Sequence, residues 1–533
     1  GPKKISNPRF GVSMKTRKSS WFVFALPFAM AGDKSSYCST ISPDRPLHVP
    51  SVPKGYALRT VQVITRHGAR TALHPLKSFS VPWNCDDETE LSVLSLDGDR
   101  KPEEPVERLY RFDYIPEKQV LPGNCLLGQL TSLGAKQHRS IGAGFRKAFV
   151  TDTKFLSETN WTEQIYVRST EVPRVQQSAQ SQLLSMFPPQ QHAGVVKVVP
   201  FHVVDSSTDD MTPNWLHCPH LVSYKAELWS KPSPKREKAL RAIEGLSDVI
   251  QVLERVFDDK YMYDNVSNFR DRWLMDYADT FHVMDCHGLA LPAEITPELR
   301  QRLYAAVDTF WDLIWGYGKI SLGGVGGFLS NDFNRNFKLV VEEAKGSSSS
   351  TSQLPLFYLF SGHDTTVAPV LGALQAYDGI WPPLASNIIF QLLEKDSFFF
   401  VRLIYNEKVV SPKGCKHEMP NGDLCCTWEE WSDIIRHIGD KFKEYSAECQ
   451  YKASPAPSTC TRQVPVDPGV QDSAGVYGVA VVLGILCVIS WLLLLYQCRQ
   501  QRARERKGFL ALSMADMTER PSDTPDSPFG HGL

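Results

Sequence analysis

The chain has 533 residues, of which 42% are hydrophobic and 22% are charged, and its formal net charge at pH 7 is -1. This length is enough for a large buried core and too great for one small domain. The near-zero charge argues against a nucleic-acid-binding protein, which normally has a strongly basic face, so any positive charge that matters for function has to be local.

The N-terminal residues predict an export signal. Basic residues precede a short hydrophobic stretch at 21–30, and an Ala-Met-Ala sequence ending at Ala31 matches the small-x-small pattern of a cleavage site. A buried helix or an N-terminal anchor is the alternative, but the stretch is shorter than the roughly 20 residues that a membrane-spanning helix needs. We therefore predict a leader at 1–31, with Met14 as the start of translation.

The next part of the chain predicts an α/β layered domain at 32–450, because helix-like and strand-like stretches alternate through it. A polar, acidic stretch at 85–113 and a serine-rich stretch at 346–352 are predicted to be insertions. An amphipathic pattern at 427–448 predicts a closing helix. Residues 451–475 are rich in Pro, Ser and Asp without periodicity, which predicts a flexible stalk.

The cysteines and two sequons agree with export. Ten of the 12 cysteines precede residue 476, and an even number in an oxidising compartment predicts disulfides. Metal binding is the alternative, but no repeated C-x-x-C pair with zinc spacing is present. The pairing stays open, although a bridge from Cys415 to Cys425 or Cys426 would close a short loop. Asn160 and Asn265 begin N-glycosylation sequons.

A second hydrophobic segment, 476–496, predicts a transmembrane helix. It contains no charge and no proline, and as a helix it is about 31 Å long, close to the hydrocarbon thickness of a bilayer. Five basic residues follow it between 499 and 507, and such a flank belongs in the cytosol. We therefore predict a type I single-pass membrane protein with a cytosolic tail at 497–533. A buried core helix is the alternative, which the length and the basic flank disfavour.

Three strand-like segments each end in polar residues followed by a helix-like stretch. The segments are 57–64, 164–167 and 354–360. In open α/β sheets, ligands bind beyond the carboxyl ends of the strands, so we expect the side chains after these segments to converge. Those side chains are Arg66, His67, Arg70, Arg168, His363 and Asp364.

The converging side chains predict an anion site. Three guanidinium groups near helix N-termini suit a tetrahedral phosphate, although one arginine at a strand end is usually only a solvated surface charge. The local sequence leaves two roles for Asp364 equally open. It could cap the following helix, or it could act as an acid once a bound phosphate offsets the arginine charges or the carboxyl is partly desolvated. The predicted phosphate site favours the acid.

The glycine-rich stretch Gly323–Gly327 is similar to a dinucleotide-binding loop only in its glycine content. It follows no clear strand of a βαβ unit and lacks the acidic residue that such a motif needs. We therefore expect a structural turn or a loop on the substrate side.

Four motifs resemble the signatures of the histidine acid phosphatase family, in family order and at family spacing. They are RHGAR at 66–70, GQLTSLG at 128–134, RST at 168–170 and HD at 363–364. The resemblance covers about residues 59–426. The segments around Cys218 and Cys415 are similar to the lysophosphatidic acid phosphatase branch, and the single C-terminal span is similar to the membrane-bound acid phosphatases of protozoa. Ala72 and Glu171 depart from the family pattern, which has Pro and Asp there.

The resemblance implies a fold and a set of roles. The fold is a three-layer α/β sandwich with a mixed, mostly parallel central sheet, as in phosphoglycerate mutase, plus a smaller, mainly helical cap. His67 would be the nucleophile that forms a phosphohistidine, and Asp364 would protonate the leaving alcohol. The phosphoryl oxygens would be held by Arg66, Arg70, Arg168 and His363. No metal and no other cofactor is implied, because the arginines neutralise the charge.

The sequence thus predicts an acid phosphatase that acts on small-molecule phosphate monoesters in the lumen of endosomes or lysosomes or at the cell surface. A catalytically silent membrane glycoprotein that uses the fold for binding is the alternative, and loss of any signature residue would have favoured it. A phosphomutase or bisphosphatase of the wider superfamily is disfavoured by export. No nucleic acid is expected as a partner, and the oligomeric state stays open.

Overall fold

A computed structural model describes residues 36–38, 42–85, 120–188, 199–260, 270–346 and 354–449. Among these residues, no helix is long and hydrophobic enough to cross a membrane. The predicted leader, the Asn265 sequon, the stalk, the transmembrane segment 476–496 and the tail lie outside the described residues. Asn160 is described, and it is exposed beside a short 3-10 turn at Trp161–Glu163.

A nine-stranded sheet forms the centre of the domain, in the order β3-β2-β4-β1-β5-β6-β9-β8, with β7 paired to β6. The strands are β1 (Ala57–Arg66), β2 (Ile165–Ser169), β3 (Phe201–Val203), β4 (Phe357–Gly362), β5 (Asn387–Lys395), β6 (Phe398–Tyr405), β7 (Lys408–Val410), β8 (His417–Glu418) and β9 (Leu424–Thr427).

The sheet is mixed, as predicted, but it is not mostly parallel. Only β3, β2, β4 and β1 pair in parallel within the described residues, whereas every pairing from β5 onward is antiparallel. Two-residue turns explain the antiparallel pairings of β5 with β6 and of β6 with β7. Asp396-Ser397 and Asn406-Glu407 all have positive φ, which is the geometry of tight hairpins, and a hairpin makes its strands antiparallel.

Eleven helices are described, and their bounds are α1 (Ser132–Phe145), α2 (Pro173–Met186), α3 (His220–Ser230), α4 (Pro234–Glu244), α5 (Ser247–Phe257), α6 (Arg270–Cys286), α7 (Pro297–Trp315), α8 (Lys319–Phe328), α9 (Asn334–Ala344), α10 (Asp364–Ala373) and α11 (Trp428–Ser446). The residues Arg146–Asp152 and Leu329–Phe333 form π-helical turns after α1 and α8.

Two hydrophobic cores, one on each face of the sheet, make the predicted three layers. Alternate residues of a strand point to opposite faces. Phe357 and Leu359 of β4 accordingly pack with residues of α1 and α2, whereas Tyr358 and Phe360 pack with residues of α8, α9, α10 and α11. The sheet is therefore covered by helices on both sides.

Helices α3 to α7 form the predicted helical cap, which has a separate core. This core includes Phe281 of α6 and Phe310 and Trp311 of α7, all buried. Tyr37, from the 3-10 turn Ser36–Cys38, and Trp381, from the segment before β5, pack into the same core. The cap is thus joined to segments that also border the carboxyl ends of the parallel strands.

Four disulfides are described, and they confirm the prediction that cysteines of this domain pair. The bonds are Cys38–Cys286, Cys85–Cys125, Cys218–Cys449 and Cys415–Cys426. Of the two adjacent cysteines that the sequence left open as partners of Cys415, Cys426 forms the bond, and Cys425 is buried and free.

The glycine-rich stretch Gly323–Gly327 lies inside helix α8, so the expectation of a turn or loop was wrong. Its glycines allow close packing of helices. A Cβ atom on Gly326 or Gly327 would lie within 3 Å of Phe442 on α11, and one on Gly324 would meet Pro213 at 2.5 Å. The small residues therefore serve helix contacts.

Candidate active site

The carboxyl ends of β1 and β4 lie side by side, as the sequence predicted. The two strands are parallel neighbours with Arg66 opposite Gly362, and the backbone N–H of His67 donates to the Gly362 carbonyl at 3.0 Å. This pairing brings the imidazole rings of His67 and His363 to a centroid distance of 5.6 Å. The RHG and HD motifs thus form one site.

His67 is held as a neutral imidazole with a defined tautomer. Its side chain is buried, and its Nδ1 lies 2.8 Å from the Gly68 carbonyl oxygen. Because a carbonyl only accepts, Nδ1 carries the proton and Nε2 keeps its lone pair. Burial, together with the charges of Arg174, Arg66 and Arg70, holds the pKa of His67 well below its ordinary value. The ring therefore stays neutral at pH values where an exposed imidazole would be charged, and its Nε2 is free of a proton.

Arg66 and Arg70 are buried and fixed by carboxylates. The Nη2 atom of Arg66 donates to the Tyr37 hydroxyl at 2.6 Å and forms an ion pair with Asp364 at 2.8 Å. The Nη1 atom of Arg66 donates to the Pro382 carbonyl. Arg70 donates to Asp279 on α6 at 2.8 Å. Burial of these charges is offset by their partners, which keep both guanidinium groups oriented.

Arg168 does not join this cluster, which corrects the prediction that it holds phosphate. Its guanidinium pairs with three carboxylates, those of Asp209 at 3.2 Å, Asp210 at 2.6 Å and Asp332 at 3.0 Å. It also lies over the Phe328 ring, on the face of the sheet that α8 covers. The reason is the strand alternation, since Arg168 pairs in register with Phe360, whose side chain is in that same core.

Arg174, which the sequence analysis did not identify, lies beside His67 and His363, where Arg168 was expected. It lies in the first turn of α2, six residues farther along the chain, and no ion pair to it is described. Of the charged groups that lower the pKa of His67 and of His363, Arg174 has the largest effect. Burial and the nearby Arg70 lower the pKa of Arg174 itself to about 9, so it stays charged in acid. A proline at the helix start followed by Arg was the available signal.

His363 directly precedes helix α10 and contacts the residue that follows β2. Its Nε2 lies 3.0 Å from the hydroxyl of Thr170. Its backbone N–H donates to Thr366 Oγ1 at 3.1 Å, so the N-cap residue of α10 is His363. Burial and Arg174 lower the pKa of His363 to about 3, with Asp364 opposing them. A neutral His363 can still donate one ring N–H to an anion.

Asp364 is the first residue of α10 and not its N-cap, so the capping interpretation is not supported. Its Oδ2 forms an ion pair with Arg66 and accepts a hydrogen bond from the Trp381 indole at 2.9 Å, and its Oδ1 accepts from the Thr365 N–H at 2.8 Å. Burial alone would raise the pKa of Asp364, but Arg66, the Trp381 hydrogen bond and His363 outweigh it and hold the pKa below its ordinary value. The Asp364 carboxyl is therefore ionised when no anion is bound in the site.

The cluster of Arg66, Arg70 and Arg174 suits a phosphate dianion. The Nε atoms of all three arginines are buried and have no hydrogen-bond partner among the described residues. The N-termini of α2 and α10 lie at the same strand ends and add partial positive charge. Within the described residues, no three His, Cys, Asp or Glu side chains are grouped so as to hold a metal ion.

Comparisons with known proteins identify the family to which the chain belongs. The family model of the histidine phosphatase superfamily (branch 2) matches residues 57–406. Counting factor 60 of Dictyostelium discoideum is 30% identical over 397 residues, which cover 72% of this chain and 88% of that protein. Lysophosphatidic acid phosphatase type 6 of Bos taurus is 28% identical, covering 69% and 80%. Lysosomal acid phosphatase of Homo sapiens is also 28% identical, covering 69% and 81%.

Among solved structures, the phytase from Citrobacter braakii is similar with a TM-score of 0.46 and 14% identity, covering 72% of this chain and 98% of that one. The family match spans more than half of the chain and contains every residue of the cluster around His67 except Tyr37. The chain therefore belongs to the histidine phosphatase superfamily, branch 2, and is a histidine acid phosphatase.

Proposed function

We propose that this phosphatase hydrolyses phosphate monoesters of small molecules through a phosphohistidine on His67, on the lumenal or extracellular side of a membrane. The observation that carries the proposal is the unprotonated Nε2 of His67, buried among the charges of Arg66, Arg70 and Arg174. A neutral imidazole can attack phosphorus, and fixed cations stabilise the charge on the transferring phosphoryl group.

In the first step, the lone pair of His67 Nε2 forms a bond to phosphorus while the bond from phosphorus to the leaving oxygen breaks. Arg66, Arg70, Arg174 and His363 hold the three remaining phosphoryl oxygens. The leaving oxygen takes the electron pair of the broken bond and a proton from the carboxyl of Asp364. An alcohol departs, and a carboxylate and a phosphohistidine remain.

Asp364 acts as an acid only when substrate is bound. The arginines that hold the pKa of Asp364 down also bind the phosphate, whose negative charges offset theirs. Substrate binding thus raises the pKa of the carboxyl and favours its protonated form in an acidic medium. This coupling accounts for the carboxyl acting as a proton donor inside a cationic site.

In the second step, a water oxygen attacks phosphorus, and the Asp364 carboxylate accepts one proton from that water. The bond between phosphorus and Nε2 breaks, and its electron pair returns to the His67 ring. The side chains then have the protonation states of the substrate complex, and Asp364 loses its proton again when phosphate leaves. Besides the substrate, only this water molecule is needed to balance the reaction.

The substrate class and the compartment rest on further observations. Two relatives have names that specify lysosomal acid phosphatase and lysophosphatidic acid phosphatase, which supports a phosphate monoester as substrate and an endosome or lysosome, or the cell surface, as location. Four disulfides require an oxidising compartment, in agreement with the predicted export signal and type I topology.

The experiment is a rapid quench of the detergent-purified protein with a radiolabelled phosphate monoester. Wild type should accumulate an acid-labile, alkali-stable phosphoenzyme, and His67→Ala should lose both this species and turnover. His437→Ala, a change at an exposed histidine far along α11, is the matched control and should keep both. Substantial turnover by His67→Ala would disprove the nucleophile.

A further inference from the structure

The segment Trp381-Pro-Pro-Leu-Ala-Ser386 contacts several groups of the active site. The Pro382 carbonyl accepts from the Arg66 guanidinium, and the Ser386 carbonyl accepts from the Arg66 backbone N–H at 2.8 Å. The N–H of Ala385 donates to the His67 carbonyl at 3.0 Å. One segment, outside the motifs that the sequence pointed to, therefore fixes the backbone of the nucleophile and of its neighbouring arginine.

Trp381 of this segment also contacts the proposed acid directly. Its indole N–H donates to Asp364 Oδ2 at 2.9 Å. The indole itself is held firmly, because it stacks on Trp311 of α7 with a centroid distance of 4.7 Å and meets the edge of Tyr37 at 5.0 Å. Its backbone N–H donates to Asp308 at 2.9 Å. A side chain with so many contacts can define the orientation of the carboxyl that it touches.

The hydrogen bonds of Asp364 distinguish its two oxygens. Oδ2 forms an ion pair with Arg66 at 2.8 Å and accepts a hydrogen bond from Trp381 at 2.9 Å, so a proton on Oδ2 would lie against a positive charge and an N–H donor. Oδ1 accepts from the Thr365 N–H at 2.8 Å, and no second donor to it is described. A proton on the carboxyl is therefore best accommodated on Oδ1.

We propose that Trp381 is a positioning residue for proton transfer, and that it acts by occupying Oδ2 together with Arg66 so that Asp364 carries and donates its proton from Oδ1. The inference rests on the function proposed above. In the transfer, the Oδ1–H bond breaks, its electron pair stays on Oδ1, and the proton moves to the leaving oxygen as that oxygen separates from phosphorus. The indole N–H stays bonded to Oδ2 throughout.

Trp381→Phe tests the proposal because phenylalanine keeps the stacking and removes the donor. The proton can then reside on either oxygen, so hydrolysis of an alkyl ester such as glycerol 2-phosphate should fall about 10- to 100-fold. Hydrolysis of p-nitrophenyl phosphate, whose leaving group needs no proton, should change less than about threefold. The loss of a donor to the carboxylate should also move the alkaline limb of the alkyl-ester pH profile upward, by about one pH unit.

Two comparisons make this test specific. Trp311→Phe is the matched control, because Trp311 is the other half of the stack and its indole nitrogen has no hydrogen-bond partner among the described residues. It should leave the ratio of the two substrates and the alkaline limb unchanged. Asp364→Asn should show the same preference for the aryl ester as Trp381→Phe, but more strongly.

A second replacement guards against misfolding of Trp381→Phe. Benzothienyl-alanine at position 381 has the shape of tryptophan and lacks the N–H, so it should reproduce the selective loss on the alkyl ester. An equal fall on both substrates, or an unmoved alkaline limb in both replacements, would overturn the inference while leaving an active wild type and its proposed function intact. A wild-type protein inactive on both esters would overturn the proposed function, and this inference with it.

Discussion

Arg168 and Arg174 are six residues apart, yet their electrostatic surroundings differ completely. Arg168 is neutralised by Asp209, Asp210 and Asp332, whereas no ion pair of Arg174 is described. We therefore expect Arg174→Ala to weaken competitive inhibition by inorganic phosphate about 10- to 100-fold, the usual effect of losing a charged hydrogen bond. The inhibition constant, measured with p-nitrophenyl phosphate as substrate, checks this.

Arg168→Ala is the matched control, and its effect should be on stability. Removal of this guanidinium leaves the buried carboxylate of Asp209 without its main compensating charge, so the melting temperature should fall. The inhibition constant for phosphate should change little. If Arg168→Ala weakened phosphate inhibition as much as Arg174→Ala does, the assignment of the two arginines would have to be reversed.

The pKa of His67 predicts where activity is lost in acid. The nucleophile has to be neutral, and its pKa lies well below 6.5 because of burial and then of Arg174. The value of kcat/KM for p-nitrophenyl phosphate should therefore not decline as pH falls through 6.5, and should decline only at lower pH. In Arg174→Ala, the missing positive charge makes protonation of His67 easier, so the acid limb should move to higher pH.

The measurement is kcat/KM as a function of pH for both proteins, over the range in which each stays folded. A wild-type acid limb centred near pH 6.5 would mean that His67 titrates like an exposed imidazole. A limb that does not move in Arg174→Ala would mean that this guanidinium is not close enough to His67 to influence its protonation.

At the level of elements, the strand–loop–helix units were predictable and the direction of a side chain within one of them was not. The hydrophobic pattern and the motif spacing located β1, β2 and β4 and the residues at their ends. Whether Arg168 points toward the site depends on the register of β2 with β4, which a single sequence does not define. Arg174 is in the site because α2 begins there.

The groups that orient the signature residues could not be predicted, because they come from distant parts of the chain. Asp279, on a helix of the cap, is 209 residues from its partner Arg70, and Tyr37 is 242 residues from Asp279. Trp381 contacts Asp364 only because the segment before β5 returns to the cap core. Contacts of this kind leave no periodicity or spacing in the sequence. The antiparallel half of the sheet was missed for a different reason, since the turns between β5 and β6 and between β6 and β7 contain no glycine.

The Ser36–Cys38 turn illustrates how these distant elements are joined. The Tyr37 hydroxyl accepts from Arg66 and donates to Asp279, which in turn accepts from Arg70. The Cys38–Cys286 disulfide ties the turn to the end of α6, the helix that carries Asp279. The orientation of Arg66 and Arg70 is therefore linked, through Tyr37 and Asp279, to a covalent bond between the start of the described chain and the cap.

At the scale of the whole molecule, the described residues, which lie between 36 and 449, belong to one compact unit that contains all the described elements. Helix α11 closes this unit, and the Cys218–Cys449 bond lies immediately after it. The active site and all four described disulfides are thus complete before the predicted stalk begins. The remaining residues, including the predicted span 476–496, lie outside the described part of the chain.

We therefore expect truncation at about residue 470 to yield a secreted, soluble enzyme with the kcat/KM of the full chain. The truncated protein keeps α11 and Cys449 and loses only the predicted anchor and tail. The measurements are activity in the culture medium and release of protein from membranes by a carbonate wash. If the truncated protein stays with the membranes after that wash, the anchor lies elsewhere in the chain.

Truncation after Ser446 is the matched control, since it removes the same predicted anchor together with Cys449. Cys218 and Cys449 are 231 residues apart, and a bond that closes so long a loop stabilises a fold by at most about 5 kcal/mol in the chain-entropy model. This shorter protein should be secreted less and melt at a lower temperature than the protein truncated at 470. Equal stability of the two would show that α11 is held by its packing against α8 and the sheet alone, without help from the disulfide.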